Sequence, residues 1–165
     1  MFCRCRASGP APPRPALSDM TVMQNGLMGE TGLRRTMPHW PQPGLIPRDP
    51  ARGDRLETIA YFGNDQYEPQ FVKTGAFQDA LRQRGVRFVN RFQGEWHDYQ
   101  HVDAVLAIRD CPPVVLATKP ASKLINAWKA GVPALLGPEP AYRELRTSPL
   151  DFLDDGTRRE AGASL

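Results

Sequence analysis

Three features of this 165-residue sequence predict an α/β fold: a Rossmann-like parallel sheet with helices on both faces, preceded by an irregular Pro-rich N-terminal segment. Beyond Leu56, apolar runs and amphipathic stretches alternate about every twenty residues, the order expected of strands joined by right-handed helical crossovers. The apolar runs are near-continuous rather than alternating, as in strands covered on both faces. Nine of the 17 prolines fall within the first 50 residues, where no helical or alternating pattern is sustained.

The reading divides the chain into an irregular extension over 1–37, a Pro-rich linker over 38–55, a Rossmann-like domain over 56–150 and a polar tail over 151–165 that is expected to fray. In the linker, the prolines from Pro38 to Pro50 forbid helix and sheet interior alike, leaving an extended segment with Trp40, Leu45 and Ile46 as packing residues.

Within the domain, Thr58-Ile59-Ala60-Tyr61-Phe62 reads as a buried strand closed by the turn Gly63-Asn64-Asp65. A helix is expected from about Pro69 to Arg84, with Val72, Phe77, Ala80 and Leu81 inward, Gly75 weakening its middle and Gly85 stopping it. Val86–Val89 reads as a second strand, followed by a turn-rich segment with a helical stretch around Trp96 to His101. Asp103–Ile108 reads as a third strand ending at Arg109. A long helix capped by Thr118, with Pro120 in its first turn and Gly131 past its end, leads to a fourth strand over Val132–Leu136. A short helix around Ala141 to Arg146 follows.

At about 100° per residue the long helix carries two faces, with Leu124, Ile125 and Trp128 docking and Lys119, Ser122, Lys123 and Asn126 looking outward. Two lysines beside a helix N-terminus suit an anion such as a diphosphate, because unpaired N–H groups and the macrodipole already favour negative charge there. Periodicity by itself favours the other reading, a solvated basic face.

Composition excludes several classes. Residues 1–56 hold eight Lys/Arg against four Asp/Glu and the remainder 13 against 14, so the net charge of +3 is an N-terminal property. The core shows no basic stripe with interleaved aromatics, and nucleic-acid binding is not expected. No run approaches the ~20 apolar residues of a membrane span and no secretion signal is evident, so a cytoplasmic protein is expected. Cys3 and Cys5 lack a second ligand pair and Cys111 stands apart, which favours reduced thiols. His97 and His101 have helical i, i+4 spacing, but without a third ligand they read as surface histidines, and neither a metal nor a cofactor is expected. Trp96 and Tyr99 read as anchors of their segment.

In parallel α/β sheets ligands bind beyond the carboxyl ends of the strands, which directs attention to Gly63-Asn64-Asp65, to Arg109–Thr118 and to Gly137-Pro138-Glu139. The glycine turn permits close phosphate approach but lacks the full dinucleotide or P-loop fingerprints. Arg109 suits bidentate phosphate binding or a salt bridge, and Glu139 suits a sugar hydroxyl or the N-terminus of the next helix. No nucleophile elbow or paired-carboxylate pattern points to a hydrolase.

The succession Tyr61-Phe62-Gly63, Asp103 to Arg109, Lys119-Pro120-x-x-Lys123-Leu124-x-Asn126-Ala127-x-x-Ala130-Gly131-Val132-Pro133 and Gly137-x-Glu139-x-Ala141-Tyr142 resembles the C-terminal donor-binding domain of two-Rossmann-domain (GT-B) glycosyltransferases. The resemblance covers roughly residues 38–150. It implies a nucleotide-diphosphate sugar at the sheet edge, its diphosphate neutralised by Arg109, Lys119 and Lys123. Gly63 and Asn64 would approach it from the first turn, Asn126 would reach a ribose or sugar hydroxyl, and Glu139 belongs to the same donor-binding set. Many relatives carry a glutamate where Asn126 stands. The family's acceptor-binding half has no counterpart in 50 irregular residues, so a shortened relative or a fragment is expected, with the acceptor undefined and sugar transfer dependent on the missing half. Two rival readings are a non-catalytic nucleotide-binding or interaction module, and a flavodoxin-like or response-regulator-like domain with Asp65 or Asp110 as its acidic residue.

Overall fold

A computed structural model describes residues 19–26, 29–92 and 94–154. Near the N-terminus, Thr21–Met23 (β1) and Arg34–Thr36 (β2) pair in parallel, so part of the stretch expected to be irregular forms a small two-stranded sheet. Residues 1–18 of the expected extension lie outside the described residues.

The main sheet holds Thr58–Phe62 (β3), Arg87–Arg91 (β4), Ala104–Ala107 (β5), Ala134–Leu136 (β6) and Leu153–Asp154 (β7), in the order β4-β3-β5-β6-β7. All neighbours are parallel. Counted within this sheet the order is 2-1-3-4-5, that of doubly wound flavodoxin-like folds. Residues 153–154, placed in the fraying tail by the sequence, instead add the edge strand, with buried Phe152 drawing the chain back against the core. The polar tail from 155 onward lies outside the described residues.

The sheet is covered on both faces, and strand alternation explains how. Ala60, Phe62, Val105, Ala107, Ala134 and Leu136 belong to one core cluster, while Ile59, Ala104 and Leu106 belong to the other. Parallel register keeps like with like, as in the pair Leu106 and Leu135. The first face receives Leu124, Ala127 and Ala130 of the helix Ser122–Ala130, and the second receives Phe77 and Leu81 of the helix Gly75–Arg82.

Gly75–Arg82 is α1, and it is shorter than the sequence suggested. A separate 3-10 turn over Gln70–Lys73 precedes it, and Thr74 makes the break by accepting a hydrogen bond from Phe77 N (3.3 Å) on Oγ1. Gly75 therefore opens the helix instead of weakening its middle. Pro113–Leu116 forms α2, a single turn within the loop after β5, and Ser122–Ala130 is α3. Thr118 does not cap α3; its hydroxyl donates to Val115 O (2.8 Å), closing α2. Ala121 occupies the N-cap position without a side-chain hydrogen bond. Gly131 ends α3 in the left-handed conformation (φ 71°), with Gly131 N bonded to Trp128 O and Val132 N to Ala127 O, the two bonds of a Schellman motif. Pro140–Leu145 is α4, and the segment from Trp96 to His101, expected to be helical, is a series of turns.

Asp103 ties the Pro-rich segment beneath the sheet. Its side chain is fully buried just before β5. Oδ1 accepts from Arg48 Nε and Nη2 (3.1 and 2.8 Å) and from Arg52 Nε (2.7 Å), while Oδ2 accepts from Arg52 Nη2 (2.7 Å), Glu57 N (2.9 Å) and Thr58 N (3.0 Å). Arg48 N also donates to Ala130 O (3.0 Å), and Ile46 exchanges backbone hydrogen bonds with His97 and Tyr99. Residues 38–55 are therefore built into the domain.

Asp103→Asn is expected to lower stability by about 3 kcal/mol in urea denaturation, because two arginines lose a buried countercharge. The Arg52 guanidinium, then the Glu57 amide and Arg48, hold the carboxyl far below its ordinary range against the cost of burial. Its contribution is complete above the unfolded value of about 4 and is lost as pH falls toward the depressed native one, so the gap between the two proteins should narrow in acid.

Candidate functional site

Helices α1 and α3 leave the sheet from the ends of adjacent strands, β3 and β5, and pack on opposite faces. A crevice opens between such diverging crossovers. Here it is a cleft of about 540 Å³, a size that suits a small-molecule ligand.

One wall is the beginning of α3 with the residues before it: Lys119, Pro120, Ser122, Lys123 and Asn126. Gly63, Asn64 and Tyr67 form a second wall after β3, with Tyr61 and Arg109 at the strand ends between the two. Gln24, His39, Trp40, Gln42 and Pro43 close the third side, together with Trp96 and Tyr99. Among these lining residues are two lysines and an arginine, and no aspartate or glutamate.

Six residues singled out from the sequence, Gly63, Asn64, Arg109, Lys119, Lys123 and Asn126, meet on this cleft. Glu139 does not line it. Its side chain, 1 % exposed, lies beneath the cleft, where Oε2 accepts from Arg109 Nη1 at 2.7 Å. Glu139 sits at the N-cap position of α4 without capping it through its side chain. Burial raises the Glu139 carboxyl, and Arg109 and then Lys123 oppose that rise. Arg109 is thereby held in one orientation by a buried carboxylate.

The two faces of α3 are arranged differently from the helical projection. Lys123 and Asn126, expected to look outward, are 8 % and 7 % exposed, whereas Trp128, expected to dock, is 41 % exposed and donates its indole N–H to Asp151 O (2.8 Å). The Pro-rich segment covers the polar edge of the helix, and Asn126 Oδ1 accepts from Gln42 N (2.9 Å). Asn126 thus acts first as a clasp for that segment, with its carbonyl oxygen already engaged.

Lys123 is the most unusual group in the site. Its Nζ lies 4.0 Å from the centre of the Tyr61 ring and has no hydrogen-bond partner among the described residues. Gly63 makes room for it, since a Cβ there would stand 3.0 Å from Nζ and 2.9 Å from a Tyr61 ring carbon. Burial, reinforced by the charge of Arg109, holds the Lys123 amine well below its ordinary pKa, with Glu139 pulling weakly the other way. Lys119, nearer the rim, places Nζ 5.0 Å from the centre of the Tyr67 ring.

Sequence reasoning missed Tyr61 and Tyr67 as site residues, and it assigned Trp96 and Tyr99 only an anchoring role. Tyr99 is both anchor and wall: it is buried, stacks on Phe62 at 4.2 Å and lines the cleft. The aromatic residues flanking the glycine turn were the available signal. Asp65 and Asp110, the acidic candidates of the flavodoxin-like reading, are exposed and do not line the cleft, and Asp65 pairs with Lys73 at 2.9 Å. His97 and His101 lie in turns, and the described residues contain no cluster of three potential metal ligands. No described helix is long and apolar enough to cross a membrane.

No family model, curated protein or solved structure matches the chain.

Replacing Lys123 by Met keeps the side chain's volume and removes a buried basic group that has no hydrogen-bond partner among the described residues. Lys123→Met is expected to gain about 1 kcal/mol near neutral pH by chemical denaturation, where a lysine serving the fold would lose stability. The unfolded chain binds the lysine proton more readily than the native one. Native stability therefore rises with pH between the depressed value and about 10.4, and the advantage of the variant should shrink across that window.

Proposed function

We propose that this cleft binds a nucleotide-diphosphate sugar, as the donor-binding domain of a GT-B glycosyltransferase does. One observation carries the reading: Arg109, Lys119 and Lys123 converge on a cleft with no acidic lining residue, at the switch point of a parallel sheet. Such a lining attracts an anion and offers no carboxylate to hold a metal or a sugar hydroxyl.

A diphosphate seated there receives charge-assisted hydrogen bonds from an arginine that Glu139 already orients and from two lysines beside the start of α3. If the sugar is transferred, the same cations stabilise the charge that develops on the departing nucleotide. The aromatic walls, Tyr67 and Trp96 among them, offer apolar surface to the rest of the ligand and exclude water, which strengthens the ionic contacts. Glu139 is committed to Arg109 and stands below the cleft, so in this reading it is no sugar ligand but the support of a phosphate ligand. Asn126, in turn, contacts the ligand only through its amide nitrogen. Acceptor binding and catalysis of transfer are assigned to a further domain, and the protein is read as cytoplasmic.

Titration with UDP, GDP and their sugars by calorimetry tests the reading. Saturable binding is expected, weakened about tenfold or more in Lys119→Ala and in Lys123→Ala, equivalent to about 1.4 kcal/mol for each lost charge. It should also weaken as salt is added. A chain that binds none of these nucleotides is instead the interaction module of the rival reading.

A further inference from the structure

We propose that a diphosphate-bearing ligand entering the inner end of the cleft draws a proton from solvent, and that Lys123 is the group that receives it. The inference rests on the anion-binding reading above and specifies how the site responds to its ligand.

The geometry leaves Lys123 few alternatives. An ammonium carries three donors, and here Nζ meets an aromatic face beside the space left by Gly63 and, among the described residues, no acceptor. Several charged or titratable groups surround it. Arg109 comes from the end of β5, Cys111 from the loop that follows, Lys119 from the approach to α3, Glu139 from the start of α4 and Tyr61 from β3. His39 faces the same cleft from the Pro-rich side. Of these groups Glu139 is the one carboxylate, and it is already paired with Arg109. Concentrating that much positive charge away from water is costly, and discarding one proton is the simplest relief. Arginine cannot give up its proton, and Lys119 stands nearer the rim, so the task falls to Lys123. Burial and the neighbouring guanidinium act in that direction.

A diphosphate reverses the balance. Its oxygens supply the missing acceptors and its charge outweighs the repulsion from Arg109, so the amine takes up a proton and donates charge-assisted hydrogen bonds to the ligand. A neutral nucleoside brings no such compensation, and the inner cleft therefore selects for ligands carrying phosphate. Affinity falls as pH rises, because the proton that accompanies binding becomes scarcer.

The test uses the whole chain with inorganic pyrophosphate and UDP as separate probes. Calorimetry in buffers of different ionisation enthalpy, from about pH 6 to about pH 9, measures the protons exchanged. Carbon-13 NMR of the lysine Cε groups, assigned through the backbone so that no variant is needed, follows Lys123 itself. Expected are net proton uptake on binding, its loss in Lys123→Met, and a Lys123 midpoint that lies below that of Lys73 and moves up with ligand. A Lys123 that titrates with Lys73, or uptake that persists in Lys123→Met, overturns the inference. UDP binding without proton exchange also overturns it while leaving the nucleotide reading intact. Proton-linked binding of pyrophosphate but not UDP supports it and removes the nucleotide reading, and if neither probe binds, both fall.

Discussion

The buried carboxylate of Asp103 is the constraint on which the arrangement of this domain depends. A charge with no access to water must have its acceptor positions filled, and here two arginines and two backbone amides fill them. Those donors come from residues 48–58, so the requirement fixes where the Pro-rich segment passes under the sheet. From that anchor the chain upstream can only run along the side of α3, and residues 39–43 become a wall of the cleft. This extended segment, whose regular structure is one 3-10 turn over Pro50–Arg52 and a bridge at Ile46, is held in place by side-chain and backbone hydrogen bonds.

The two ends of the sheet carry opposite electrostatic arrangements. At the lower edge one acid is surrounded by bases and every acceptor is used. At the upper edge Arg109, Lys119 and Lys123 meet on the cleft, Glu139 is paired with Arg109, and Lys123 has no hydrogen-bond partner among the described residues. The lower edge is a structural solution. At the upper edge the buried amine of Lys123 is left without the hydrogen bonds that would repay its burial.

Helix α3 links the two. Leu124, Ala127 and Ala130 seal the sheet, Gly131 turns the chain into β6, and Lys123 and Asn126 lie on the covered edge between the core and the cleft. Asn126 clasps the Pro-rich segment while Lys123 reaches under it toward Tyr61. One helix therefore sets the packing of the core, the position of the wall and the charge of the site. Six of the seven residues expected at the site meet because that helix and the ends of β3 and β5 converge; Glu139 misses the cleft because Arg109 holds it below.

The sequence by itself determined the class of the fold, the positions of four of the five main strands and the glycine that ends α3. Each is a local matter: apolar runs long enough to be buried on both faces, or a backbone conformation that only glycine adopts without strain. It also located the basic residues and the strand ends that bring them together. Only the tertiary structure decided that Lys123 is buried and Trp128 exposed, that residues 39–43 form a wall of the cleft, and that residues 153–154 add a strand. Helical periodicity describes two opposite faces but cannot say what covers the polar one. The answer came from Asp103, whose partners lie about fifty residues away in sequence, and from hydrogen bonds such as that of Asn126 to Gln42, which no local pattern encodes.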